Sequence, residues 1–196
     1  MPLEQAFIDA CPYGPGGILI DEILLIDKAG GVVRARMPTH AQLPITREQR
    51  SHPEHHPAHV SGGLMVHMTG VMGLVHLYYV LGLRHRDGWI GYGVRIQSAR
   101  FHALASLDAP LILEGQATQV RNLRGQIFVQ YDFRFTQEDV LIFESRQAAM
   151  WTNTRASSSE TSKTADDDAN VDANSASSRS PGPNSEQNLR IAGGNG

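Results

Sequence analysis

The segment GGLMVHMTGVMGLVHLYYVLGL, residues 62–83, decides the fold. It contains no Asp, Glu, Lys or Arg, and a helix of this sequence is apolar on nearly every face. Such a helix is either buried in a protein core or spans a membrane. The segment is long enough to cross a bilayer, but it carries His67 and His76, five glycines and no second span beside it. We therefore predict one long core helix, with a transmembrane span as the alternative.

Segments with strand patterns lie on both sides of this helix. The clearest alternation is in residues 126–135, where five apolar side chains share one face and polar side chains occupy the other. Other segments predict further strands and one short helix: strands at residues 18–27, 32–37, 94–102, 111–121 and 140–151, and a helix at residues 3–10. A lone apolar helix among antiparallel strands must be covered by the sheet, which predicts an α+β fold.

Composition divides the chain in two. Residues 1–152 are predicted to form one domain, whereas residues 153–196 are a low-complexity stretch rich in Ser, Asp and Asn without an aromatic side chain. Such a stretch buries too little apolar surface to offset the entropy lost on folding, roughly 1–2 kcal/mol per residue for the backbone. We predict that it is a disordered tail.

The charge balance excludes a broad polyanion-binding surface. The chain has 17 basic and 20 acidic residues, so nucleic-acid binding is not expected. Cys11 is the only cysteine, which excludes an intrachain disulfide. The N-terminus lacks the basic and apolar regions of a signal peptide, so a cytoplasmic protein is predicted. No cofactor and no membrane association are predicted.

A long loop rich in histidine and proline, residues 38–61, precedes the helix. Long loops in compact domains are commonly functional or mobile. Four of its histidines lie within eight residues, at His52, His55, His56 and His59. One interpretation is a general base, because the histidine pKa lies near neutral pH. The alternatives are a solvated loop without a role, and a metal site, although the spacing matches no known metal signature.

Three motifs resemble the hotdog superfamily, most closely its 3-hydroxyacyl-ACP dehydratases. The lead-in CPYGPGGILIDEILLID, residues 11–27, is similar to their opening strand. Residues 55–58, HHPA, resemble their His-Phe-Pro-Gly, and residues 61–66, SGGLMV, their Pro-Gly-Val-Leu-Met-Ile. Residues 94–101, VRIQSARF, with the turn at Pro110, are similar to a strand and turn of the family. The resemblance spans about the first 150 residues.

The resemblance implies a hotdog fold, in which an antiparallel sheet wraps the long helix, and an enzyme that dehydrates or hydrates acyl thioesters. His55 would be the base, and His67, as an imidazolium, or Glu54 would be the acid. The amides of Gly62 and Gly63 would bind the thioester carbonyl. The remaining predicted substrate-binding residues are His56, His59 and Ser61. The implied partners are acyl carrier protein or coenzyme A thioesters and a second copy of the chain, with His55 and His67 contributed by different subunits.

The chain departs from this family at its helix acid. His67 stands where the dehydratases have a carboxylate, and Gly70 stands near the acid position of the related thioesterases. His67 is therefore either catalytic or a core histidine, and Glu54 either replaces the acid or is a solvated charge. A thioesterase and a non-catalytic module that binds an acyl chain or a carrier protein stay as alternatives.

Overall fold

The computed structural model describes residues 1–50, 52 and 54–155. Six strands form one sheet in the order β1-β2-β4-β5-β6-β3, and each neighbouring pair is antiparallel. The strands are β1 (Glu22–Asp27), β2 (Val32–Met37), β3 (Trp89–Phe101), β4 (Leu111–Leu123), β5 (Gln126–Gln137) and β6 (Val140–Asn153). The two edges of this sheet are β1 and β3.

The helices are short except for one. They are α1 (Gln5–Ala10), α2 (Pro15–Ile18) and α3 (Gly62–Val75), with single 3-10 turns at Thr46–Glu48 and His85–Asp87. A π-helical turn, His76–Val80, continues α3, and Gly82 then ends the helix with a positive φ of 69°. Glycine adopts this left-handed conformation at helix ends without the steric cost that a Cβ brings.

Helix α3 is the centre of the hydrophobic core, as predicted. Its side chains Met68, Val71, Met72 and Val75 are fully buried. The segment Gly62–Val80 is long and apolar enough to cross a membrane, but 72% of its most apolar window is buried inside the protein. The antiparallel sheet wraps this one helix, which is the predicted α+β hotdog fold.

The predicted elements are confirmed with small changes in extent. The strand predicted at residues 18–27 begins only at Glu22, because Pro15–Ile18 forms a helical turn that Leu19 ends with a φ of 57°. The alternating faces of β5 are as predicted, with Tyr131, Phe133 and Phe135 buried. Strand β6 ends at Asn153, one residue beyond the predicted domain boundary, and the predicted disordered tail lies outside the described residues from residue 156 onward.

Charged side chains of alternating sign cross the outer face of the sheet. Consecutive partners in the register run across five strands in one row, Arg34–Glu114–Arg134–Glu144–Arg100. The first pair is hydrogen-bonded and the last is an ion pair of 3.6 Å. Exposed pairs of this kind stabilise a fold by about 1 kcal/mol at most, so the row is mainly a marker of the solvent-exposed face of the sheet.

Candidate functional site

Helix α3 is open to solvent along one stripe only. Gly63 and Gly70 are exposed, whereas Val66 and His67 are half-buried and the rest of the helix beyond its first turn is buried. Spacings of four and three residues put positions 63, 67 and 70 on one helix face. We call these three residues the open stripe. His67 is its one titratable side chain.

His67 is held in a defined orientation. Its Nε2 lies 2.7 Å from the carbonyl oxygen of Gly17, and its ring meets the Tyr13 ring edge-on at 4.8 Å between centroids. A carbonyl only accepts, so Nε2 must carry the proton in this hydrogen bond. The neutral ring therefore has its lone pair on Nδ1. This nitrogen has no partner among the described residues, yet it is absent from the buried unpartnered atoms, so it is accessible. A histidine with this tautomer can act as a base.

The first turn of α3 presents unused amides. The earliest bonds to the helix start run from Leu64 and Met65 to the Ser61 carbonyl, and the described residues offer no acceptor to the amides of Gly62 and Gly63. Ser61 makes no side-chain cap, and its own amide bonds to Thr46 Oγ1 at 3.3 Å. Free amides at the positive end of a helix dipole attract a developing negative charge. The amides of Gly62 and Gly63 are therefore unpaired among the described residues, and their role in binding a thioester carbonyl stays a prediction.

The histidine-rich loop, residues 38–61, exposes its predicted catalytic side chains in the single chain. His55 and Glu54 side chains are 78% and 80% exposed, and the His55 Nε2 lies 3.9 Å from a Glu54 carboxylate oxygen. His55 stacks on His52 at 4.7 Å. Among the described residues, no hydrogen bond, ion pair or ring contact joins this loop to His67. The predicted roles of His55 and Glu54 thus require a second subunit or a different loop position.

His56 and His59, the remaining two of the four clustered histidines, are partly held in place by contacts with each other and with the backbone. The ring of His59 meets that of His56 at 5.0 Å, and His59 Nδ1 lies 2.9 Å from the Pro57 carbonyl. The His59 amide also donates to Gln49 at 3.1 Å. Within the described part of the loop, which leaves out residues 51 and 53, no three His, Cys, Asp or Glu side chains are grouped as metal ligands.

A cavity of about 340 Å³ lies between α3 and the inner face of the sheet, next to the open stripe. Its floor and walls come from Gly70 and Gly73 on the helix and from aromatic side chains on the strands, including Tyr92, Tyr131, Phe133 and Trp151. Pro12 and Tyr13 close one side. The cavity therefore begins at the Gly70 end of the open stripe and extends away from the helix N-terminus.

Sequence reasoning missed the polar groups in this cavity. Thr69 Oγ1 lies 2.7 Å from the Val66 carbonyl and 3.1 Å from Gln147 Oε1, so its single proton serves one of them at a time. Gln147 Nε2 donates to Ser145 Oγ at 3.0 Å. Gln147 belongs to β6, whose alternation is weak, and only the fold brings β6 against the helix. No signal in the sequence pairs these residues.

His76 lies on the opposite side of the helix from His67, because nine residues at about 100° each place the two side chains half a turn apart. It is 1% exposed, and its Nδ1 is 3.1 Å from the Tyr131 hydroxyl. Burial lowers the pKa of His76 from 6.5 to about 4, so the ring is neutral. Burial likewise raises the pKa of the Tyr131 hydroxyl. His76 is thus a core residue.

Several solved structures share this architecture at low sequence identity. A mutant thioesterase from Pseudomonas aeruginosa is 15% identical with a TM-score of 0.51, covering 78% of this chain and 95% of its own. The dehydratase heterocomplex ApeI:P from Xenorhabdus doucetiae is 10% identical with a TM-score of 0.53, covering 81% and 99%. A mutant of the fluoroacetyl-CoA-specific thioesterase FlK is 11% identical with a TM-score of 0.50, covering 69% and 95%.

These similarities establish the hotdog fold. No protein-family model matches the sequence, and no curated protein matches it significantly. The particular resemblance to dehydratases, which the sequence motifs predicted, stays a prediction because thioesterases and a dehydratase share the architecture equally. Function must therefore be argued from the site.

Proposed function

We propose that this protein hydrolyses acyl thioesters, with His67 as the general base. The observation that carries the proposal is the open stripe. On an otherwise buried helix, unused amides, an oriented histidine and an apolar cavity follow one another along a single face. In this order, the amides would bind the carbonyl oxygen of a thioester, the histidine would activate the attacking water, and the cavity would hold the acyl group.

The chemistry follows from the hydrogen bonds. Water held at Nδ1 of His67 loses a proton as it attacks the thioester carbonyl, and the Gly17 carbonyl stabilises the imidazolium through Nε2–H. The oxyanion that forms is stabilised by the amides of Gly62 and Gly63. When the oxyanion collapses, the C–S bond breaks and the imidazolium of His67 gives its proton to the leaving sulfur, so the carrier departs as a thiol and His67 is neutral again. One chain supplies every group that hydrolysis needs, which favours it over dehydration, where a second proton donor must act.

We propose that the active protein is a homodimer joined along β3. Strand β3 is a sheet edge, and its large apolar side chains Tyr92, Val94, Ile96 and Phe101 are each more than half exposed. An open apolar edge of this length favours pairing with another strand. The Phe101 ring also lies within 3.0 Å of where a Cβ on Gly62 would be, so a partner along β3 approaches the helix N-terminus.

A dimer would also support a second candidate function, the dehydratase or hydratase activity that the sequence predicts. The observation that favours it is the ion-pair distance between His55 and Glu54 on an exposed loop. Contributed by a partner subunit, this pair would face the open stripe and supply the second proton relay. The carrier, acyl carrier protein or coenzyme A, and the acyl chain length are left to experiment. The cytoplasmic location also stays a prediction.

The test measures both reactions side by side on the purified protein. Hydrolysis of acyl-CoA and acyl-ACP thioesters is followed by thiol release, and hydration of the matching enoyl thioesters by loss of their ultraviolet absorbance. Thiol release that needs His67 and does not need His55 supports hydrolysis. Hydration that needs both histidines supports the second candidate. Neither reaction on any chain length, with intact binding of acyl thioesters, would make the protein a binding module.

Sedimentation tests the dimer separately. A dimer at micromolar concentration is expected, and replacing Ile96 by Lys should shift it toward monomer because a charge then lies on the paired edge. A wild-type protein that stays monomeric at this concentration contradicts both the dimer and the dehydratase candidate.

A further inference from the structure

The loop before α3 contains a strained residue, Ile45. Its φ of 66° and ψ of −46° place it at the centre of a γ-turn, which is closed by a hydrogen bond of 2.7 Å from the Thr46 amide to the Pro44 carbonyl. A γ-turn with a positive φ is rare because it is strained, and a branched Cβ makes this conformation still less favourable. Strained residues persist only where the surroundings hold them, and they occur mainly at functional sites.

The two sides of the turn are anchored. Leu43 and Thr46, which flank the turn, are both buried. Thr46 Oγ1 donates to the His59 carbonyl at 3.4 Å and accepts the Ser61 amide at 3.3 Å. Because Ser61 directly precedes α3, these bonds attach the turn to the start of the helix. The position of Ile45 relative to the helix start is therefore fixed.

The turn holds an apolar side chain in water beside the open stripe. Ile45 is 53% exposed, although both of its anchors are buried. Its Cδ1 atom lies 3.8 Å from where a Cβ on Gly63 would be, so the side chain borders the N-terminal end of the stripe. Glycine would adopt this backbone without strain, and little apolar burial would be lost. Core packing does not account for an isoleucine here, whereas contact with a ligand on the stripe would.

The place of Ile45 decides which part of a thioester it can contact. The cavity begins at Gly70 and takes the acyl group away from the helix start. A thioester with its carbonyl at the amides of Gly62 and Gly63 therefore extends its sulfur the other way, past Ile45. The sulfur and the methylene groups that follow it are apolar, and an alkyl side chain favours their burial. A charge next to the sulfur would lose hydration against the same side chain.

We propose that Ile45 is a specificity-determining residue for the thiol side of the substrate. It selects thioesters whose sulfur is followed by uncharged methylene groups over thioesters that carry a charge next to the sulfur. This rests on the proposed function, which places the thioester on the open stripe. The strained turn presents the side chain to the ligand and lowers stability in exchange, a trade-off that is common at functional sites.

Two thioesters with the same acyl group test the proposal on the full-length protein. Hexanoyl-N-acetylcysteamine has two methylene groups and an amide after its sulfur, whereas S-hexanoyl thioglycolate has one methylene group and then a carboxylate. The ratio of their kcat/KM values should fall about fivefold in Ile45→Gly, as expected for losing about 40 Å² of apolar contact. Comparing this ratio between wild type and variant cancels the different intrinsic reactivities of the two compounds.

Thermal unfolding separates a functional isoleucine from a structural one. In Ile45→Gly the release of strain offsets the lost side chain, so Tm should stay unchanged or rise by up to about 4 °C. Leu24→Gly is the matched control, because Leu24 is also an exposed apolar side chain but lies in strand β1. This control should lower Tm, since glycine weakens a strand interior, and should keep the ratio of the two thioesters.

Binding without turnover distinguishes this proposal from the proposed function. Calorimetry with hexanoyl-N-acetylcysteamine and His67→Gln protein should show about fivefold weaker binding when Ile45→Gly is added. If the wild type binds this thioester with that same dependence on Ile45 but does not hydrolyse it, hydrolysis is wrong and the specificity proposal stands. A protein that neither binds nor hydrolyses it overturns both.

Four results in Ile45→Gly would overturn the specificity proposal while hydrolysis stands. An unchanged ratio of the two thioesters or unchanged binding would mean that the side chain does not contact the ligand. A Tm lowered by more than about 4 °C would make Ile45 a structural residue. Loss of a wild-type dimer in sedimentation would make it a subunit contact.

Discussion

The two ends of helix α3 carry the same residue type in opposite environments. Near its start, His67 lies on the open stripe, with one nitrogen bonded to the Gly17 carbonyl and the other accessible. Just beyond its end, His76 begins the π-helical turn in the core, with one nitrogen against Tyr131 and the other without a partner in the described part of the chain. The first arrangement keeps a base in contact with water. The second keeps a neutral ring away from it.

The difference shows that packing, and not residue type, decides what a histidine does. The strap formed by residues 11–17 passes over the first half of α3 and orients His67 while leaving a groove beside it. Beside His76, α1 covers the π-helical turn, with Phe7 packed against Tyr78 and Tyr79. The proposed chemistry is therefore confined to the N-terminal half of the helix.

Substitution of His67 should reduce activity more than any other change proposed for the helix. His67→Gln removes the proposed base but keeps a hydrogen-bond donor for Gly17, so thioester turnover should fall about 10²–10⁴-fold with the fold intact. His67→Glu should retain more activity than His67→Gln, because a carboxylate can also act as a base. Initial rates and circular dichroism measure the two effects. Full activity in His67→Gln would make this histidine structural.

The matching change at His76 should affect stability and its pH dependence. Below pH 6.5 the unfolded chain protonates this histidine, whereas the folded protein does not until near pH 4. Stability therefore falls as pH falls through this window, by about 3 kcal/mol in total from this group. Urea unfolding at several pH values measures the slope, and His76→Gln should flatten it.

His67→Gln serves as the control for that experiment and should leave most of the slope in place. If His76→Gln leaves the pH dependence of stability unchanged, the group responsible lies elsewhere, and the contrast between the two histidines loses its energetic basis.

Gly70 keeps the open stripe accessible next to His67 because it has no side chain. No atom lies within 4 Å of where its Cβ would be. Gly70→Ala should therefore stabilise the protein by about 0.5–1 kcal/mol through helix propensity. Gly70→Leu should fill the groove and raise KM several-fold while His67 is untouched. Thermal unfolding and steady-state kinetics check the two variants, and a Leu variant with normal KM would move the acyl path away from the stripe.

Removal of residues 156–196 should have the weakest influence on stability. Thr154 and Arg155 bond to the carbonyls of Gly88 and Arg86, so a truncation should keep them. Ending the chain after Arg155 should change Tm by less than about 2 °C, since the removed sequence has too little apolar surface to dock. A larger drop by calorimetry would mean that residues 156–196 contact the core.

Local patterns in the sequence were enough for the elements of the fold. The charge-free segment predicted the core helix, and the strict alternation in β5 predicted its buried face. The main error was a strand at residues 18–21. Ile18 instead ends the helical turn Pro15–Ile18, and Ile18 and Ile20 are buried although both precede the first strand, which begins at Glu22. Apolar side chains alone do not distinguish these two outcomes.

The sequence patterns were sufficient to predict the architecture. A helix apolar on all faces and strands apolar on one face bury these surfaces together when the sheet covers the helix. The sequence also singled out His67 and the two glycines at the helix start. The tertiary contacts, in turn, determine that Gly17 sets the tautomer of His67, that His76 is neutral, and that Thr69 on α3 meets Gln147 on β6. Each of these depends on contacts between residues more than nine positions apart, and hydrogen bonding and burial at such separations leave no periodic trace in a single sequence.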